Sequence, residues 1–246
     1  MQINFSVAFV FFRVKLDLKR IGDFNMKKIL YTSFLALTLT FNVNIAYASH
    51  DIDNLSASDA LKKLQKGNRR FVELKLKHPD ENKSRRKEML KGQHPFVVIL
   101  SCSDSRVPAE LIFDQGLGDI FVIRNAGNVL DEHVIGSIEY AVMHCGVKLI
   151  VIMGHQDCGA IAATLSGVSE TKYIQSLEDS ILPAVEDCKK KGLEVNSDNV
   201  VKAHVMQDIN ELLTQDTELV KYMKEHNVQI VPAYYHLDTG KVDFLK

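Results

Sequence analysis

The chain has 246 residues, 46% of them hydrophobic and 25% charged, and its 30 basic and 31 acidic side chains leave a formal net charge of −1 at pH 7. That length suits one or two domains. Charges so closely balanced give no electrostatic footprint for nucleic acid or an anionic membrane, and no repeat or low-complexity tract interrupts the sequence.

Residues 1–48 read as a targeting segment rather than as fold. Met26-Lys27-Lys28 is a short positive region, an apolar run follows from Ile29 to about Phe41, and Ala46-Tyr47-Ala48 is a small-x-small cleavage signal. Together they compose a secretory signal peptide. The run is too short to span a bilayer comfortably; an uncleaved anchor or a core helix are the alternatives. Residues 1–25 carry a separate apolar patch, Phe5 to Phe12, most simply an extension upstream of a true start at Met26. Cleavage after Ala48 leaves residues 49–246, enough for one α/β domain with a good core, periplasmic or secreted and away from the membrane.

Ser56 or Ser58 is a candidate N-cap, and Leu61, Leu64, Phe71 and Leu74 follow at helical spacing. A second short helix fits Ser84 to Leu90, the two forming an N-terminal helical arm. The pattern then changes to continuous apolar runs: Phe96 to Leu100, Ile120 to Ile123 and Leu149 to Met153. Runs of this kind are the mark of parallel strands buried on both faces. Helical patterns at Ala109 to Phe113 and His133 to His144 separate them, and Ala160 to Leu165, Ile174 to Lys190 and Ser197 to Lys224 follow. A strand at Val228 to Val231 and a turn at Leu237-Asp-Thr-Gly240 close the chain with a terminal hairpin. The fold class is α/β, a mostly parallel sheet of four to five strands flanked by helices.

The first strand ends in Cys102-Ser103-Asp104-Ser105-Arg106, and the third ends just before His155-Gln156-Asp157-Cys158-Gly159. Carboxyl ends of parallel strands share one edge, where ligands bind. Cys102, Asp104, Arg106, His155 and Cys158 are therefore expected around one point. Two cysteines and a histidine suit borderline-soft Zn²⁺, and three protein ligands leave a fourth position for catalysis; thiolates disfavour Mg²⁺ and Ca²⁺. A Cys102–Cys158 disulfide remains open for an exported protein. Asp104 beside Arg106 is a carboxylate kept ionised and aimed, or a plain structural ion pair. Cys145 and Cys188 read as packed or paired thiols, and His78, His94, His133, His144, His204, His226 and His236 as surface or core residues.

The motifs Cys102-Ser-Asp-Ser-Arg106 and His155-x-x-Cys158-Gly159, with Phe121-Val-Ile-Arg-Asn-Ala-Gly127 and Ser137-Ile-Glu-Tyr-Ala-Val142 between them, resemble the β-class carbonic anhydrases from about Leu55 to Tyr235. The resemblance implies zinc-dependent reversible hydration of CO₂ to bicarbonate, one Zn²⁺ per subunit on Cys102, His155 and Cys158, and a homodimer or homotetramer. It implies that Asp104, held by Arg106, either closes the fourth zinc position or orients the nucleophile there. Gln93 matches a substrate-holding glutamine of the plant-like subgroup, and Phe121, Ala126, Tyr140 and Gly159 match other pocket positions. The allosteric subgroup uses a tryptophan, and this chain has none. Two rival functions remain: hydrolysis of COS or CS₂ on the same fold, and a non-catalytic zinc- or bicarbonate-binding module. A nucleotide-binding domain is disfavoured, because Gly116-Leu-Gly118 precedes a strand rather than following one.

Overall fold

The computed structural model describes residues 55–169 and 171–245; the targeting segment read in residues 1–48 lies outside them. Helix α1 (Ala57–Val72) starts where the Ser56 side chain accepts the Asp59 amide. It buries Ala57, Ala60 and Leu64. Helix α2 (Lys83–Glu88) leads through a 3₁₀ turn, Met89–Lys91, to the sheet.

Five strands lie in the order β2-β1-β3-β4-β5. Strands β1 (Val97–Cys102), β2 (Ile120–Asn125), β3 (Leu149–His155) and β4 (Gln229–Tyr235) are parallel. β5 (Val242–Phe244) returns antiparallel along β4. The hairpin turn is as expected, closed by Gly240 N–H to His236 O at 2.9 Å.

The two central strands β1 and β3 are buried along their whole length, as continuous apolar runs require. One sheet face packs on α1 and on α3 (Ala109–Ile112). The other packs on α4 (Glu132–Glu139), α7 (Ser197–Gln215) and α8 (Thr217–His226). A third apolar cluster gathers at the carboxyl edge, where α5 (Gly159–Ser166) and α6 (Lys172–Lys190) meet α7. Among the described residues no helix is long and apolar enough to cross a membrane.

Three expectations need correction. The β2 run is as apolar as its neighbours, yet β2 is an edge strand and its residues are half-buried or exposed; apolar content alone does not separate an edge from a centre. The helix expected over Ser197 to Lys224 is two helices. Asp216 leaves helical geometry (φ −107°, ψ 86°) and its carboxylate accepts the Leu219 amide at 2.8 Å, a local bond that restarts the helix. The helix expected over His133 to His144 ends at Glu139 and widens into a π turn, Tyr140–His144, where Cys145 N–H reaches Tyr140 O at 3.2 Å.

Gly154 sets how closely α7 approaches β3. A Cβ there would lie 2.4 Å from Val201 Cγ1 and 2.9 Å from Val205 Cγ2. Gly154→Ala is expected to cost about 1–3 kcal/mol by overpacking, read as a lowered denaturant midpoint with an unchanged slope.

Candidate metal centre

Ser101 pairs with Met153 across β1 and β3, so Cys102 and His155 leave the sheet at the same edge. Cys158 follows in the turn after β3 and caps α5. Cys102 Sγ, Cys158 Sγ and a ring nitrogen of His155 all lie within 4.8 Å of one another, and all three residues are buried. The two cysteines are free thiols, which disposes of the disulfide alternative.

His155 Nδ1 lies 2.8 Å from the carbonyl of Gln156. A carbonyl only accepts, so Nδ1 carries the proton and Nε2 presents its lone pair. Nε2 is buried and has no hydrogen-bond partner. A buried acceptor left unpaired is costly, and one aimed beside two thiols is explained by a metal ion taking that lone pair.

The sulfurs are electrostatically prepared. Cys102 is lowered to about 4, chiefly because the Cys158 thiol donates to it, with the neighbouring His155 ring and then the amides of Gly127 and Asp104 contributing against burial. Those amides lie 3.3 Å and 3.4 Å from Cys102 Sγ. Cys158 is pushed up as the donor to Cys102 and by burial, while the Ile161 and Ala160 amides of the first turn of α5 pull the other way. Cys102 is thus favoured as the thiolate and Cys158 as the thiol, and a divalent ion would bind both deprotonated. Helix α5 adds the positive end of its dipole.

Asp104 sits beside this cluster with both carboxylate oxygens engaged. Oδ1 accepts the Arg106 amide and Nε, each at 2.9 Å, and Oδ2 accepts Nη2 at 2.8 Å. The two-pronged Arg106 contact holds the Asp104 carboxyl at about 2. Arg106 is itself tied to the metal loop by Nη2 to Asp157 O at 3.1 Å. Arg124 braces the same turn from β2, donating to Cys102 O at 3.1 Å and Asp104 O at 2.7 Å.

The family model for carbonic anhydrase matches residues 97–242. A carbonic anhydrase of Mycolicibacterium smegmatis is 39% identical over 188 residues, covering 75% of this chain and 91% of its own. Carbonic anhydrase 2 of Mycobacterium tuberculosis is 38% identical over 192 residues, covering 76% and 92%. The crystal structure of a β-carbonic anhydrase from Aspergillus fumigatus superposes with a TM-score of 0.61 at 28% identity, covering 77% of this chain and 90% of that one. A tetrameric β-carbonic anhydrase from Sordaria macrospora gives 0.60 at 25% identity, covering 65% and 85%.

The chain belongs to the β-class carbonic anhydrases.

Within this anhydrase chain the expected site residues fall into two groups. Cys102, Asp104, Arg106, His155, Cys158 and Gly159 share the carboxyl edge with Ala126, which follows Asn125, the β2 partner of Cys102. Gly159 opens α5, where amides lie outside the helical ladder, and a Cβ added there would meet nothing within 4 Å. Phe121 instead pairs with Val98, four residues before Cys102, about 13 Å along the strand. The Tyr140 ring lies tilted by 40° against Phe121 with centroids 6.1 Å apart, and Tyr140 is 49% exposed. Gln93 is exposed and precedes β1 at its other end.

Sequence reasoning gave no separate role to Arg124 or to the Gly127 amide, although both stand inside a motif it quoted. The available signal was Gly127 itself, whose φ of +73° favours glycine.

Proposed function

We propose that this anhydrase binds one zinc ion on Cys102, His155 and Cys158 and catalyses the reversible hydration of CO₂ to bicarbonate and a proton. The observation that carries the reading is geometric: Cys102 Sγ, Cys158 Sγ and a ring nitrogen of the buried His155 lie within 4.8 Å of one another. Two sulfurs and an imidazole form a donor set that suits zinc and leaves a fourth position open. Zinc, when bound, supplies the Lewis acidity that makes water a nucleophile near neutral pH.

The residues of the chain supply the rest. Asp104, ionised and aimed by Arg106, accepts a hydrogen bond from the nucleophile and so fixes which lone pair faces the carbon. The Gly159 amide at the start of α5, outside the helical ladder, meets charge developing on a CO₂ oxygen, in the manner of an oxyanion hole. Metal analysis of purified protein paired with a CO₂ hydration assay across pH tests the reading. Metal-replete protein that does not hydrate CO₂ would refute it. No contact among the described residues favours COS or CS₂ hydrolysis or a silent binding module.

The substrate pocket needs a second copy. Phe121, Tyr140 and Gln93 lie back along a strand from their own Cys102. A two-fold axis beside the edge strand β2 would set the amino end of one subunit's sheet against the carboxyl edge of its partner. The half-buried apolar face of β2 and the exposed Tyr140 ring support this arrangement. Sedimentation is expected to show a dimer or a tetramer built from dimers. A Tyr140→Glu chain that sediments as a monomer should keep its metal and lose at least about 10-fold in kcat/KM, within the range for loss of substrate positioning; a fully active monomer would overturn the proposal.

We further propose export to the periplasm or medium after cleavage at Ala48, on the positive region, apolar run and small-x-small signal of residues 26–48. Mass spectrometry of the mature chain is expected to find Ser49 at its amino terminus.

A further inference from the structure

Behind the metal cluster lies a polar pair that the reaction does not use. His204 and Asp208 sit four residues apart on α7, on one helix face, and each is 1% exposed. They touch the turn after β2 rather than each other: His204 Nε2 and Asp208 Oδ2 are 3.7 Å apart. His204 Nε2 donates to Gly127 O at 2.9 Å, and Asn128 Nδ2 donates to Asp208 Oδ2 at 2.9 Å. Burial lowers His204 to about 4, so its ring is neutral near pH 7 and the Nε2 proton required by the carbonyl is in place. Burial raises Asp208 well above the usual carboxylate range.

The turn so gripped is unusual backbone. Gly127 and Asn128 both have positive φ, +73° and +48°. The second is a non-glycine residue in a sparsely populated region, held only where its surroundings over-determine it. On the far side of the same turn the Gly127 amide lies on Cys102 Sγ. A Cβ on Gly127 would lie 2.9 Å from the Ala160 Cβ and 3.1 Å from Ile181 Cδ1, so the turn is also wedged against α5 and α6. At this core position leucine or valine would avoid the desolvation cost of a histidine and an aspartate. Their bonds to the turn give the polar pair a use.

We propose that His204 and Asp208 are positioning residues for the metal thiolate: from α7 they clamp the Gly127–Asn128 turn so that the Gly127 amide stays on Cys102 Sγ and limits the charge that sulfur gives to the metal. Hydrogen bonds to a ligating sulfur tune a metal site much as second-sphere partners of histidine ligands do. With two thiolates on the ion, that restraint keeps the centre acidic enough to work near neutral pH. The inference rests on the zinc reading above and adds the control of one of its ligands.

The test compares His204→Met, which fills the space without a donor, with His204→Gln, whose side-chain amide can reach the Gly127 carbonyl. Each is loaded with Co²⁺ for the sulfur-to-metal charge-transfer band and with Zn²⁺ for the pH profile of kcat/KM. His204→Met should shift the band to lower energy and raise the pH midpoint by about half to one unit, roughly a 3- to 10-fold change that reaches only the low end of outer-partner losses. His204→Gln should restore both towards wild type. A folded His204→Met protein with band and midpoint unchanged overturns the clamp, as does a shift that Gln fails to reverse. If His204→Met does not fold, Asn128→Gly removes the bond to Asp208 while still permitting positive φ, and an unchanged band there overturns it equally. Wild-type protein that takes up no Co²⁺ or Zn²⁺ would overturn the metal reading itself, and the clamp with it.

Discussion

Cys158→Ala is expected to lose bound zinc and, with it, CO₂ hydration. The variant keeps Cys102 and His155 but leaves the ion two protein ligands instead of three, and Asp104 is held away by the three bonds it accepts from Arg106. Loss of an outer hydrogen-bond partner costs roughly 10- to 100-fold in affinity or activity; loss of a ligand should exceed that. The fold should survive, because Cys158 is a small part of the apolar cluster around Ile161, Ile181 and Val201. Two measurements check this. Zinc per chain after dialysis should fall from about one towards zero. Thermal melting separates ligation from packing: a ligand present at about 1,000 times its Kd adds roughly 4 kcal/mol to stability, so a chelator should lower the melting temperature of wild type and leave that of the variant unchanged. Stoichiometric zinc and full activity in Cys158→Ala would remove the centre as assigned.

The metal centre was legible in the sequence because it lies at strand ends. An apolar run marks a parallel strand, its last residue marks the sheet edge, and the side chains just beyond it meet whatever leaves the neighbouring strand. Cys102 and His155 follow that rule, and Cys158 comes with His155 at the end of the three-residue connection to α5. The Asp104–Arg106 pair was legible for a similar reason: two residues apart on a turn, they need no tertiary information to find each other. The order of the strands was not legible. The β2 run, Ile120 to Ile123, is as apolar as its neighbours, and only the register with β1 shows it to be an edge.

What sequence spacing could not supply was the set of contacts made by backbone or across long separations. The Gly127 amide on Cys102 joins residues 25 apart, and the His204 bond to Gly127 joins residues 77 apart. Neither leaves a periodic trace. His204 and Asp208 do stand at helical i, i+4 spacing, but a polar pair on a helix is ordinarily solvated, and nothing local distinguishes one turned into the core. The pocket residues pose the complementary problem. Gln93, Phe121 and Tyr140 match family positions in sequence, yet in the fold they lie along the sheet from the metal ligands, so motif order carries no statement about distance from the metal.

Asp104→Ala should give the opposite combination to Cys158→Ala: zinc retained and turnover lost. Both sulfurs and His155 Nε2 remain, so the metal content should stay near one per chain. Removing a group that orients the nucleophile should cost on the order of 10²-fold, and a loss of that size in kcat/KM is expected. The pH dependence divides charge from aim. Arg106 holds the Asp104 carboxyl at about 2, so in wild type it is ionised throughout the working range, and no activity step above about pH 4 belongs to it. Arg106→Ala withdraws the fork and lets the carboxyl return towards its ordinary value of about 3.9. It would still be charged at pH 7, so a loss of rate there, with no new acid limb above about pH 5, would come from lost direction alone. The loss should be smaller than for Asp104→Ala, since the acceptor itself remains. A zinc-replete Asp104→Ala protein with wild-type turnover at every pH would reduce the pair to a surface ion pair, and the nucleophile would then need a different group to orient it.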